Sequence, residues 1–85
     1  MMENDFVISF MICGNLFPNQ TETFYYLDDA IDRFDELVDE MRENDMSLMI
    51  DGTYYYVNNI FLYNDSTQEE ICNFRAVDNT VINTF

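Results

Sequence analysis

Residues 27–44 repeat apolar side chains with the period of an α-helix, and this pattern most limits what the chain can fold into. The stripe recurs at steps of four and three and contains Leu27, Ala30, Ile31, Phe34, Leu37, Val38 and Met41. Asp28 and Asp29 favour the positive end of the helix dipole, and Asn44 is predicted to end the helix in the left-handed conformation. A helix with one apolar stripe needs a second layer to pack against.

That second layer is predicted to begin at the first strand. Residues 6–13 alternate, and one side carries the bulky apolar residues Phe6, Ile8, Phe10 and Ile12. We expect the helix to cover this side. Residues 14–15 can form a turn into a short return strand at residues 16–17, and the stretch to Thr23 is expected to be loop.

The second half of the chain is predicted to be β-structure. Asp51-Gly52 separates the β-prone runs 46–50 and 53–57, which predicts a hairpin with a two-residue turn. Asn58-Asn59 marks a bulge or turn before a strand at residues 60–63.

Residues 65–77 fit two structures. Ser66 and Thr67 each precede a Glu by three residues, as in a helix capping box, but residues 71–77 also fit a strand. Strands are favoured, with Asp78-Asn79 joining them to a last strand at residues 80–85.

These patterns predict a single domain over residues 1–85 of class α+β, with one amphipathic acidic helix packed on a mainly antiparallel β-sheet of four to six strands. Hydrophobic residues make up 48% of the chain and aromatic residues 16%, which excludes a disordered acidic tail.

The charge of the chain is strongly one-sided. Its 85 residues include 17 acidic residues and three arginines, with no lysine or histidine, which gives a formal net charge of −14. Like charges destabilise a small folded domain, so this excess calls for a functional explanation. A dense anionic surface suits a partner whose own surface holds nucleic-acid phosphates.

Eight carboxylates share the outward arc of the predicted helix. They are Asp28, Asp29, Asp32, Asp35, Glu36, Asp39, Glu40 and Glu43. At 100° per residue, Arg33 and Arg42 fall at the two margins of this arc. Along the helix there is about one acid per 3 Å, close to the spacing of about 3.4 Å between phosphates on one DNA strand. We interpret these eight residues as a partner-binding surface; an acidic helix that merely faces solvent is the alternative.

Tyrosines form a second feature. Tyr54 and Tyr56 are expected on one face of a strand and Tyr55 on the other, with Tyr63 in the next strand. Their rings suit contact with a partner. Covering of the sheet and self-association into a homodimer are equally open interpretations.

Catalytic chemistry is not indicated. The chain has no histidine to shuttle a proton and no glycine-rich phosphate loop. Cys13 and Cys72 are interpreted as ordinary buried thiols. We expect no enzyme, no metal, no cofactor, no direct nucleic-acid binding and no membrane span. Glu3 and Asp5 stand where a secretory signal would carry cations, so an intracellular protein is expected.

The length, the charge excess and the helix from Asp28 to Asp45 together resemble the small acidic DNA-mimic inhibitors of phages and mobile elements, which include anti-CRISPR and anti-restriction proteins. The resemblance implies a phage-type inhibitor in the cytoplasm of a bacterial host cell. It would bind a basic nucleic-acid-binding protein by occupying the DNA-binding groove of a Cas effector or restriction enzyme. These inhibitors share no single fold, so the resemblance implies none.

Three other interpretations stay open. The first is an immunity or antitoxin-type protein that neutralises a basic nuclease or toxin by covering its active site. The second is an acidic adaptor or structural subunit that assembles through the tyrosine-bearing sheet. In the third, the acidic surface is an adaptation to salt.

Overall fold

The computed structural model of the chain describes residues 6–12, 15–16 and 22–83. These residues form one helix and eight strands, which confirms the α+β class. The elements are β1 (Phe6–Ile12), β2 (Asn15–Leu16), β3 (Glu22–Phe24), α1 (Leu27–Glu43), β4 (Ser47–Ile50), β5 (Thr53–Tyr56), β6 (Asn59–Asn64), β7 (Glu69–Arg75) and β8 (Thr80–Asn83).

The strands form two antiparallel sheets. The main sheet has the order β2-β1-β6-β7-β8, and β3 also pairs with β1. The second sheet is the hairpin of β4 and β5 alone. Turns join β6 to β7 and β7 to β8. The chain between β1 and β6 is longer and includes the helix, and antiparallel sheets allow both kinds of connection.

The helix lies on the face of the main sheet that carries Ile8 and Phe10, as the sequence predicts. Both residues are buried, and Phe6 and Ile12 at the ends of β1 are partly buried against the same core. Residue Cys13, the last of the predicted strand, lies outside the described residues. The helix contributes Ala30, Phe34, Leu37, Val38 and Met41 to this core.

The hairpin predicted around Asp51-Gly52 is confirmed. Asp51 has a φ of 52° and Gly52 a φ of 83°, and a two-residue type I′ turn requires positive φ at both positions. The register places Ile50 opposite Thr53, so that the two strands leave the turn directly paired. Leu48 and Ile50 on β4 turn into the core and fasten the hairpin to the body of the protein.

The strand interpretation of residues 65–77 is also confirmed, and the capping-box alternative is not realised. Asn64 ends β6, and its Oδ1 accepts hydrogen bonds from the backbone N–H groups of Ser66 at 2.9 Å and Thr67 at 3.2 Å. These bonds stabilise a turn rather than the start of a helix. The chain then returns as β7, and β8 follows after a turn in which Asn79 has a φ of 52°.

Two local predictions were wrong. The expected loop up to Thr23 contains a strand, because residues 22–24 pair with β1 in the register Phe6–Phe24 and Ile8–Glu22. Asn44 does not adopt the left-handed conformation, since its φ is −119°. Its Nδ2 instead donates to the carbonyl oxygen of Glu40 at 2.9 Å, and the positive φ values fall on Asp45 and Met46.

Candidate acidic interface

The acidic surface is oriented by the core on the other side of the helix. Phe34 and Met41 are 1% and 0% exposed, so the helix cannot rotate about its axis without exposing them. The carboxylates predicted to lie on the outer arc therefore point away from the sheet. We call these eight residues the acidic ridge: Asp28, Asp29, Asp32, Asp35, Glu36, Asp39, Glu40 and Glu43.

The structure brings the whole ridge onto one helix, α1. Seven of its eight residues are exposed, and Glu40 is half-buried. The predicted arc is thus confirmed in position, while a role in binding stays a prediction. The helix has 17 residues, so the ridge is about 26 Å long and holds about one carboxylate per 3 Å.

Arg33 lies at one margin of the ridge and pairs mainly with Glu22, which is not part of the ridge. Its Nε and Nη2 donate to the two carboxylate oxygens of Glu22 at 2.9 and 3.2 Å, and its Nη1 donates to Glu36 at 3.2 Å. The hydrogen bond to Glu22 is the largest cause that raises the pKa of Arg33, although partial burial acts against it. The arginine therefore ties β3 to the helix and neutralises only Glu36 within the ridge.

The other two arginines are also occupied elsewhere. Arg42 donates from Nε to Asn79 Oδ1 at 2.7 Å, and its guanidinium carbon lies 5.1 Å from the centroid of the Phe74 ring. Arg75 is 3.3 Å from Asp78 in the turn before β8. Among the described residues, Glu36 is consequently the only member of the ridge within salt-bridge distance of an arginine.

Like charges one turn apart destabilise the helix that carries the ridge. Asp32 lies one turn from both Asp28 and Glu36, and Asp39 lies one turn from Glu43. Each such pair destabilises a helix by about 0.2 to 0.5 kcal/mol. A helix that only faced solvent would gain stability if lysines replaced some of these acids.

The tyrosines are distributed as the alternation predicts. Tyr54 and Tyr56 lie on the outward face of the hairpin opposite Met49 and Ser47, whereas Tyr55 takes the other face. Tyr63 is half-buried in the main sheet, where its hydroxyl lies 3.4 Å from that of Ser9. Tyr54 and Tyr56 are 53% and 48% exposed, so these residues are accessible for contact.

Sequence reasoning missed two exposed aromatic residues beside the ridge. Tyr25 and Tyr26, just before the helix, are 64% and 70% exposed with ring centroids 6.4 Å apart. Tyr26 takes the N-cap position without a side-chain cap. The sequence signal for this pair was a tyrosine at the N-cap position, where Ser, Thr, Asp or Asn is favoured.

In the described part of the chain, no group of three His, Cys, Asp or Glu residues could hold a metal ion. The one helix in this part of the chain is not long and apolar enough to cross a membrane. On the sheet face away from the helix, a cleft of about 340 Å³ is lined by Ser9, Met11, Phe61, Tyr63, Gln68 and Glu70.

Comparisons with protein-family models, with curated proteins and with solved structures return no match to this chain.

Proposed function

We propose that this protein is a non-enzymatic inhibitor that imitates nucleic-acid phosphates and blocks the DNA-binding groove of a CRISPR-Cas effector or a restriction enzyme. The observation that carries the proposal is the acidic ridge: eight carboxylates on one face of α1, of which only Glu36 has an arginine partner among the described residues. Such an inhibitor would act in the cytoplasm of a bacterial host cell.

The physical basis is the match between fixed anions and a groove that evolved for phosphates. Lysines and arginines in such a groove neutralise DNA phosphates and release the counterions condensed on the DNA, and this electrostatic contribution supplies much of the affinity for DNA. The ridge offers a comparable charge spacing on a helix that is already folded. The backbone of the ridge loses little conformational entropy on binding because the core already holds the helix in place.

The field of the whole chain supports the same function. A net charge of −14 attracts a basic partner over several ångströms and speeds encounter, and salt weakens this attraction. The charge also repels DNA and RNA, so the protein competes with nucleic acid for its target rather than binding it.

The test compares two variants that change the net charge equally. Asp32→Lys with Asp39→Lys reverses the middle of the ridge. Asp65→Lys with Glu69→Lys, the turn variant, reverses two exposed acids, one in the turn before β7 and one at the first residue of β7. Each variant is assayed against a panel of Cas effectors and restriction enzymes for DNA cleavage and for displacement of duplex DNA, in low and high salt. The wild-type chain is expected to inhibit at least one member and to displace its DNA.

The ridge variant should lose inhibition by at least about tenfold, while the turn variant should stay within about threefold of wild type. Equal loss in both would show that net charge, and not the ridge, is responsible. Inhibition that leaves duplex DNA bound but uncut would favour the active-site neutraliser instead. A panel with no inhibited member would contradict the proposed target class.

A further inference from the structure

We infer that the hairpin beside the end of the helix is a second contact surface, and that its occupant is an arginine side chain of the basic partner. The surface consists of Met49, Tyr54 and Tyr56, which we call the tyrosine face. This inference rests on the proposed function, because it names the partner side chain that the same interface would take.

The tyrosine face is an unpartnered sheet face. All four residues of β5 are exposed, and the hairpin pairs with no strand of the main sheet among the described residues. Met49 lies directly opposite Tyr54 and is 52% exposed. Burial of Leu48 and Ile50 on the other side already fastens the hairpin, so the outward rings are not needed to hold it.

Carboxylates border this face where the helix ends. Glu43, Asn44, Asp45, Ser47 and Tyr54 together line an open cleft of about 350 Å³. Arg42 comes from the same turn of the helix, but it contacts Asn79 and Phe74 instead of entering the cleft. The negative end of the helix dipole adds to the attraction for a cation here.

Arginine fits this combination better than other occupants. Its planar guanidinium stacks on an aromatic ring while its N–H groups donate to carboxylates beside the ring. A lysine ammonium is more strongly hydrated and cannot stack in the same way. A second copy of the chain would bring its own Glu43 and Asp45 against the same border, and two chains of net charge −14 repel each other.

The test uses two peptide probes, octaarginine and octalysine, each titrated into the full chain while backbone amide chemical shifts are followed by NMR. The variant Tyr54→Ile with Tyr56→Ile keeps apolar, β-favouring side chains but removes both rings. The matched control is Tyr25→Ile with Tyr26→Ile, which removes two rings of similar exposure at the opposite end of the helix. Circular dichroism checks that both variants fold.

Loss of two stacking contacts should weaken octaarginine binding about tenfold and leave octalysine within about twofold. The control should leave both probes within about twofold. Shift changes with octaarginine should include Glu43 and Asp45, and Glu43→Gln with Asp45→Asn should reduce the preference for arginine as well. Asn suits the left-handed backbone at position 45, where φ is 56°.

Equal weakening for the two peptides, or no weakening for either, would overturn the inference. Equal arginine-specific loss in the control would overturn it too, since any exposed tyrosine would then serve. The outcome is separable from that of the proposed function: the variant with Asp32→Lys and Asp39→Lys should weaken both peptides together. If that variant still inhibits its target, the proposed function fails whatever the hairpin result.

Discussion

The buried thiol of Cys72 has a raised pKa, to which the charge of Asp35 on the helix contributes. The side chain is 3% exposed, and burial raises the pKa of its thiol from 9.0 to about 11, with further contributions from the charges of Asp35 and Glu70. The sequence-based interpretation of Cys72 as a buried thiol is confirmed, and Cys13 lies outside the described residues.

The raised pKa sets the sign of a pH effect. Between pH 9 and about 11 the thiol is ionised in the unfolded chain but keeps its proton in the folded one. The stability linked to the neutral thiol is therefore fully present below pH 9 and is lost as the pH rises through about 11.

We expect Cys72 to react slowly in the folded protein. In a Cys13→Ser background at pH 8.5, alkylation by iodoacetamide should be at least about 100-fold slower than in denaturant, because both the thiolate fraction and the access are reduced. Mass spectrometry of the alkylated chain gives the rate. A folded rate within about threefold of the unfolded rate would contradict the buried, protonated thiol.

The elements could be predicted from sequence where a period or a turn motif was present. The helix from Leu27 needed only its apolar stripe, and the hairpin needed only Asp51-Gly52. β3 could not be predicted, because residues 22–24 are too few to show alternation and their pairing depends on an edge of β1 far away in sequence. At Asn44 the side-chain amide donates to the carbonyl oxygen of Glu40, and the left-handed backbone falls on Asp45 and Met46 instead.

The turn of the β4–β5 hairpin allows a direct test of backbone strain. Gly52 has a φ of 83°, and a Cβ added there would meet no atom within 4 Å. Gly52→Ala should therefore lower the free energy of unfolding by about 1 to 2 kcal/mol through strain alone. Urea denaturation measures this change.

Gly52→Asn is the matched control for that substitution. Asparagine tolerates positive φ, so this variant should recover a large part of the loss. Equal destabilisation by Ala and Asn would mean that a steric clash, rather than the backbone angle, decides the effect.

At the level of the whole chain, the arc of carboxylates was predictable, and so were the strand faces of Tyr54 to Tyr56, but the exposure and neighbours of the tyrosines were not. Charge and helical period placed all eight carboxylates on one arc, because both are written directly in the sequence. Whether a tyrosine is exposed depends on what packs beside it, so the position of Tyr54 beside Glu43 required the tertiary structure.

Repulsion among the acids should make the stability of the whole fold depend on salt. We expect the midpoint of thermal unfolding to rise as NaCl increases from 10 to about 300 mM, because screening shortens the range of repulsion to less than about 10 Å. The variant Asp32→Asn with Asp39→Asn removes four like-charge pairs and should be more stable at low salt by about 1 kcal/mol.

The midpoint of thermal unfolding of this variant should also rise less with salt than that of the wild type. Differential scanning calorimetry at several salt concentrations gives both results. A midpoint that does not change with salt would show that the charges are compensated in the folded chain.

The placement of Arg33 and Arg42 makes the two long sides of the helix unequal. Arg33 stands midway along one side beside Glu22, while Arg42 stands near the far end of the other side beside Asn79. A cationic channel laid along the helix in one direction meets a different pattern of repulsion from the same channel reversed. The two ends of the helix are therefore not equivalent, and we expect any cationic partner to bind along it in a single orientation.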